Sequence, residues 1–128
     1  MDISILLGRI LLGGMFIMFG MNHFLQFPGM VGYAQAKGLP LARTGVLLGG
    51  IFQLLGGSSL LLGLEVEIGA WLLVAFLVPN TFYVHRFWTV ADFSTRTVET
   101  VIFFKNLGLL GGILLVATMP QPWPYSLG

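Results

Sequence analysis

"GVLLGGIFQLLGGSSLLLGLEVEIGAWLLVAFLVPNTFYVHR", residues 45–86, holds two apolar runs parted only by Glu65, Val66 and Glu67. Each run, 45–64 and 68–86, comes close to the ~20 residues a helix needs to cross ~30 Å of hydrocarbon. A connection so short makes the two helices antiparallel neighbours. The stretch therefore reads as a transmembrane hairpin, and it sets the fold class of the whole chain.

Two more runs of similar length flank it, at about 3–22 and 98–118. The expected fold is all-α: a single-domain antiparallel four-helix transmembrane bundle over 1–128. Composition agrees, since 56% of the residues are hydrophobic, 9% are charged and the mean hydropathy is +0.92, more apolar surface than a soluble domain this small could bury. The first run differs from a signal peptide in having Asp2 where a basic start is usual and no small-residue cleavage site, so it is expected to remain as a span.

The connections carry their own signals. In the long first one, 23–44, which joins spans one and two, Pro28 can open and Gly38 with Pro40 can close a short helix over "GMVGYAQAK", expected to lie along the membrane interface. In the third, "FWTVADFSTRT" offers Trp88 and Phe93 at headgroup level and Asp92, Ser94 or Thr95 as helix caps. Pro120, Pro122 and Pro124 end the last span, with Trp123 and Tyr125 as interface anchors.

Lys37, Arg43, Arg86, Arg96 and Lys105 fall toward one side, whereas the other side has Arg9 against Asp2, Glu65 and Glu67. The positive-inside rule places the first and third connections in the cytoplasm and both termini outside it. A net charge of +1 without a basic block points away from nucleic acid. The absence of cysteine excludes disulfides, thiol redox chemistry, Cys-ligated zinc and iron–sulfur clusters.

Leu-Leu-Gly-Gly occurs four times, starting at Leu11, Leu47, Leu54 and Leu109, without a fixed period. In lipid such glycines let helix backbones approach closely. Gly13, Gly49, Gly57 and Gly112 are the expected packing positions. On span two, Gly45, Gly49, Gln53 and Gly57 share one face, and on span one Arg9, Gly13, Phe16, Gly20 and His23 form a stripe.

The polar residues converge on one end of the bundle. Span one ends in Asn22 and His23, span three in Asn80, Thr81, His85 and Arg86, and span four begins with Glu99, Lys105 and Asn106. A charge near the membrane centre costs at least ~2.5–3.5 kcal/mol, so such residues face the bundle interior or snorkel to the headgroups. Pro79 is expected to free a carbonyl, kink span three and open a pocket. The candidate ligand-binding residues are His23, Gln53, Asn80, His85, Lys105 and Asn106. Lys105 shares a face with Gly108 and Gly112 and is expected to point into the bundle, toward Glu99, a ligand oxygen or a backbone carbonyl. No nucleophile–base pair, metal-ligand cluster or phosphate loop stands out, so no catalytic or metal residue is named. His23 and His85 could ligate a haem between helices, but two histidines near helix ends, without a supporting motif, make haem the poorer expectation.

The glycine-rich "GRILLGGMFIMFGMNHF" at 8–24, "GGIFQLLGGSSLLLGL" at 49–64, "KNLGLLGGILL" at 105–115 and the closing "YSLG" resemble the DoxX family of small four-helix membrane proteins, over nearly the whole chain. The family takes its name from a subunit of a thiosulfate:quinone oxidoreductase, and its relatives usually carry glutamate where this chain has Gln53. The resemblance implies a bacterial plasma-membrane protein that serves as an accessory subunit of a quinone-linked redox complex and holds quinone or lipid between its helices. Its expected partners are membrane lipid and other membrane subunits or further copies of itself. The alternative is a structural, assembly or transport component whose polar groups only fix helix packing.

Overall fold

The computed structural model describes residues 2–128. Its helices are α1 (Asp2–Leu25), α2 (Phe27–Ala36), α3 (Ala42–Leu62), α4 (Val66–Pro79) and α5 (Phe93–Ala117). A π-helical stretch, Asn80–Val84, extends α4, and a 3-10 turn, Phe87–Thr89, precedes α5. Among the described residues no strand occurs, and α1, α3, extended α4 and α5 are each long and apolar enough to cross a membrane. The protein is an all-α, multi-pass membrane bundle.

The helices pack in the order α1, α3, α4, α5, with α2 against the start of α3. Both termini and the α3–α4 turn therefore lie at one end, and the two longer connections lie at the other, which we call the basic end. The main core joins Phe16, Leu60, Ala70, Leu73, Leu77 and Ile113, and a smaller cluster of Val31, Ala34, Ala42 and Val46 holds α2 against α3.

The α1–α3 seam follows the stripe expected on span one, since Arg9, Gly13, Phe16, Gly20 and His23 are all buried. A Cβ at Gly13 would lie 2.7 Å from the Gly57 carbonyl oxygen, and one at Gly57 would lie 2.7 Å from the Gly13 carbonyl oxygen. The two backbones touch there, and no side chain fits between them. Gly49 has a different neighbour: a Cβ there would lie 2.9 Å from Cε1 of His23. It makes room for a ring, not for a backbone.

The observed boundaries differ from the expected ones for local reasons. Val66 belongs to α4 and is buried, so the turn is Gly63, Leu64 and Glu65. Gly63 closes α3 at φ 67, in the left-handed region where glycine carries no side-chain penalty. α5 begins at Phe93, not near 98, because Asp92 caps it by accepting from the Thr95 amide at 2.9 Å. Hydropathy does not register that polar first turn.

One expectation about α5 is corrected. Its inner face is Glu99, Phe103, Asn106 and Ile113, all buried. Lys105 is displaced by about 100° from Asn106 and is exposed. It does share a face with Gly108 and Gly112, but that face is the outer one: a Cβ at Gly108, Gly111 or Gly112 would meet nothing within 4 Å. Gly112 therefore packs against no helix of this chain, and Lys105 does not enter the polar cluster.

Candidate functional site

Pro79 shapes the site. It has no amide proton to give to the Ala75 carbonyl, and from Asn80 onward the helix widens to i→i+5 bonding, with the His85 amide donating to the Asn80 carbonyl at 3.3 Å. Beside this widened turn lies a cavity of about 590 Å³, bounded by the end of α1, by α2, by the start of α3 and by α4. Its walls are mostly apolar, including Met30, Val46, Phe52, Ala75 and Phe76, and His23, Tyr33, Asn80 and His85 supply polar groups. That volume lies within the ~300–1,000 Å³ of small-molecule sites, which typically pair apolar walls with a few placed polar groups.

His23 is fixed from two sides. Its Nδ1–H donates to the Val46 carbonyl at 2.7 Å, and Nε2 accepts from the Gln53 amide at 2.9 Å. A carbonyl can only accept, so the pair requires the neutral, Nδ1-protonated ring. With both nitrogens occupied, His23 offers the cavity a ring edge and no free hydrogen-bonding atom. The ring also meets Phe76 edge to face, with centroids 5.7 Å apart.

His85 is held differently. Its Nδ1 lies 2.8 Å from Oε2 of Glu99, and its Nε2 has no partner among the described residues. Glu99, 4% exposed, is surrounded by donors. Besides His85, the Tyr33 hydroxyl donates to Oε1, and the Lys37 ammonium lies 3.9 Å from that oxygen. A carboxylate that bonds one ring nitrogen fixes the orientation of the ring, and His85 is among the residues that line the cavity. Burial, and then the bond to Glu99 and its charge, push the Tyr33 phenol upward from its ordinary value of 10.0.

The same end is tied together by backbone contacts. The Tyr83 hydroxyl donates to the Gly38 carbonyl at 2.7 Å, and the Arg86 guanidinium donates to the Lys37 carbonyl while lying 4.4 Å over the Tyr83 ring. These contacts fasten the end of α2 to the end of α4, so the interfacial helix closes one side of the cavity.

Of the expected ligand-binding residues, His23, Asn80 and His85 line the cavity. Gln53 stands behind His23 as its donor, Asn106 is buried on the inner face of α5 away from the lining, and Lys105 is on the outer face. Tyr33 and Lys37 were not named from the sequence as site residues. Their signal was indirect, because a carboxylate placed in an apolar span needs donors, and the connecting helix supplies the nearest ones.

Comparison with known proteins agrees with this architecture. A family model described as DoxX matches residues 4–86. The chain is 28% identical to inner membrane protein YqjF of Escherichia coli (strain K12) over 126 residues, which covers 98% of this chain and 90% of that protein. It is 23% identical to inner membrane protein YphA of the same organism over 115 residues, 90% of this chain and 81% of the relative. No solved structure matches the chain.

Proposed function

The chain belongs to the DoxX family of integral membrane proteins, and on that premise we propose that its basic-end cavity holds the head of a quinone-type amphiphile, making the protein an accessory subunit of a quinone-linked membrane complex. The observation that carries this reading is the unpartnered Nε2 of His85, backed by Glu99, at a mostly apolar cavity of about 590 Å³. A quinone carbonyl can accept from the Asn80 amide. A quinol hydroxyl can donate to His85 Nε2, and the Glu99 carboxylate stabilises the ring as it takes up the proton. The isoprenoid tail would leave along the apolar walls toward lipid. Electrons would pass to or from a partner subunit, since the side chains proposed here bind the head and move its proton.

The proposed location is a bacterial plasma membrane, with both termini outside the cytoplasm. Support comes from the inner-membrane relatives and from the grouping of Lys37, Arg43, Arg86 and Arg96 at the basic end.

A second reading has its own observation. The outer face of α5, with Val101, Phe104, Gly108, Gly111 and Leu115, is exposed and has open space at its glycines. That face suits a helix of another subunit or a second copy of this chain, in which case the protein is a structural or assembly component without a redox role. Gentle purification from native membranes, with mass spectrometry of bound small molecules and co-purifying proteins, separates the two. Retained quinone supports the first reading, whereas a stable partner without quinone supports the second.

A further inference from the structure

At the end of the bundle opposite the His85 cavity, Arg9 is 4% exposed. Its guanidinium donates to four carbonyls: Nε to Leu60 at 3.3 Å, Nη1 to Pro124 at 2.5 Å, and Nη2 to Leu61 at 2.9 Å and Tyr125 at 3.0 Å. Carbonyls satisfy donors without neutralising a full charge, and among the described side chains no carboxylate pairs with Arg9. The guanidinium has five N–H groups, so one proton on Nη1 remains.

Trp123 supplies a second, independent observation. It is 5% exposed, its ring lies 5.7 Å from the Arg9 guanidinium carbon, and its indole Nε1–H has no hydrogen-bond partner among the described residues. A buried donor left without a partner costs ~1–3 kcal/mol. Both residues line a separate cavity of about 300 Å³ whose walls include Ser4, Leu12, Val116 and Met119.

A buried cation without a counter-charge among the described side chains, an unused indole donor and a cavity that both of them line call for an acceptor that carries negative charge. We propose that this cavity binds a phosphate-class monoanion, carried by the headgroup of a membrane phospholipid or by a free phosphate ester. One anionic oxygen takes the free Nη1 proton, and a second takes the indole proton. Leu12, Val116 and Met119 give an acyl chain an apolar path out of the cavity, while a free ester would use only the polar end.

The test uses the full-length protein in a neutral maltoside detergent, with binding followed by native mass spectrometry and stability by thermal unfolding. The probes are dioleoyl phosphatidylglycerol, dioleoylglycerol and inorganic phosphate. The parent protein binds the phosphatidylglycerol saturably and is stabilised by it, whereas the diacylglycerol, which has the same chains and no phosphate, does neither. Trp123→Phe keeps the ring beside Arg9 and removes the donor, so it weakens phosphatidylglycerol binding about tenfold, the equivalent of ~1.4 kcal/mol. Val116→Phe, which fills the cavity from its apolar wall, also lowers binding and keeps the test decisive if Trp123→Phe fails to fold. Displacement by inorganic phosphate assigns the site to a free anion, and resistance to it assigns the site to the lipid. Both outcomes support the anion chemistry. Equal binding of diacylglycerol and phosphatidylglycerol, or undiminished phosphatidylglycerol binding in both variants, overturns it.

Discussion

Gln53 and His23 face each other across the α1–α3 seam, with the Gln53 amide donating to Nε2 of the ring at 2.9 Å while Nδ1 donates to the Val46 carbonyl. The pair is neutral, buried on both sides and close to the point where Gly49 makes room for the ring. A glutamate at this position, usual in the family that the sequence resembles, would put a carboxylate against that nitrogen and require a second ring proton. In this chain Gln53 serves as a support for His23, and the hydrogen bonding that a ligand could use shifts to His85.

Gln53→Leu should lower stability by ~1–3 kcal/mol, since it leaves His23 Nε2 buried and unpaired. Combined with His23→Leu, the two losses should fall short of additivity by ~1 kcal/mol. Equilibrium unfolding in mixed micelles measures both quantities. Strict additivity would mean that the bond contributes nothing.

The glycines separate by what they touch. Gly57→Leu should destabilise the bundle strongly, because the Gly13 backbone occupies the space the side chain needs. Gly112→Leu, pointing into open space, should leave the unfolding midpoint of the isolated protein unchanged. A loss of subunit association in Gly112→Leu, without a loss of stability, would indicate that the outer face of α5 meets a partner.

Lys105→Met should be silent in stability, since the ammonium is exposed and Glu99 already has Tyr33, His85 and Lys37 as neighbours. Glu99→Leu should be costly, because it leaves those three donors facing an apolar span. A comparison of thermal midpoints for the two variants checks this ordering.

Tyr33 predicts an alkaline signature. Its folded-state value lies above the ordinary 10.0, so the unfolded chain gives up the phenol proton first as pH rises. The stability it contributes is complete below pH 10 and is lost progressively above it. Tyr33→Phe should show a shallower alkaline decline than the parent. The difference between the two pH profiles isolates the contribution of Tyr33.

How far the sequence revealed these features depends on the kind of signal. Span number, the α3–α4 hairpin and the Arg9–His23 stripe were legible, because apolar length and helical spacing are local properties. The direction of a stripe is not. Lys105 shares a face with Gly108 and Gly112 whether that face looks inward or outward, and only the partners of α5 decide which. The grouping of His85 with Glu99 was legible as a shared end of the bundle. The arrival of Tyr33 was not, since it depends on α2 folding back over α3 and on the widened turn after Pro79. Arg9 offered the least warning: two turns into a span, it can reach the headgroups or turn inward, and here the closing "PWPYSLG" segment folds back and bonds it.

Direct binding of decylubiquinone to the purified protein tests most closely the proposal that the cavity beside His85 and Asn80 holds a quinone head. The parent should bind saturably, and Ala75→Trp, which adds bulk at the α4 wall of the cavity, should abolish binding while leaving the thermal midpoint in place. A parent that does not bind saturably, or an Ala75→Trp variant that binds as the parent does, would contradict quinone binding in this cavity.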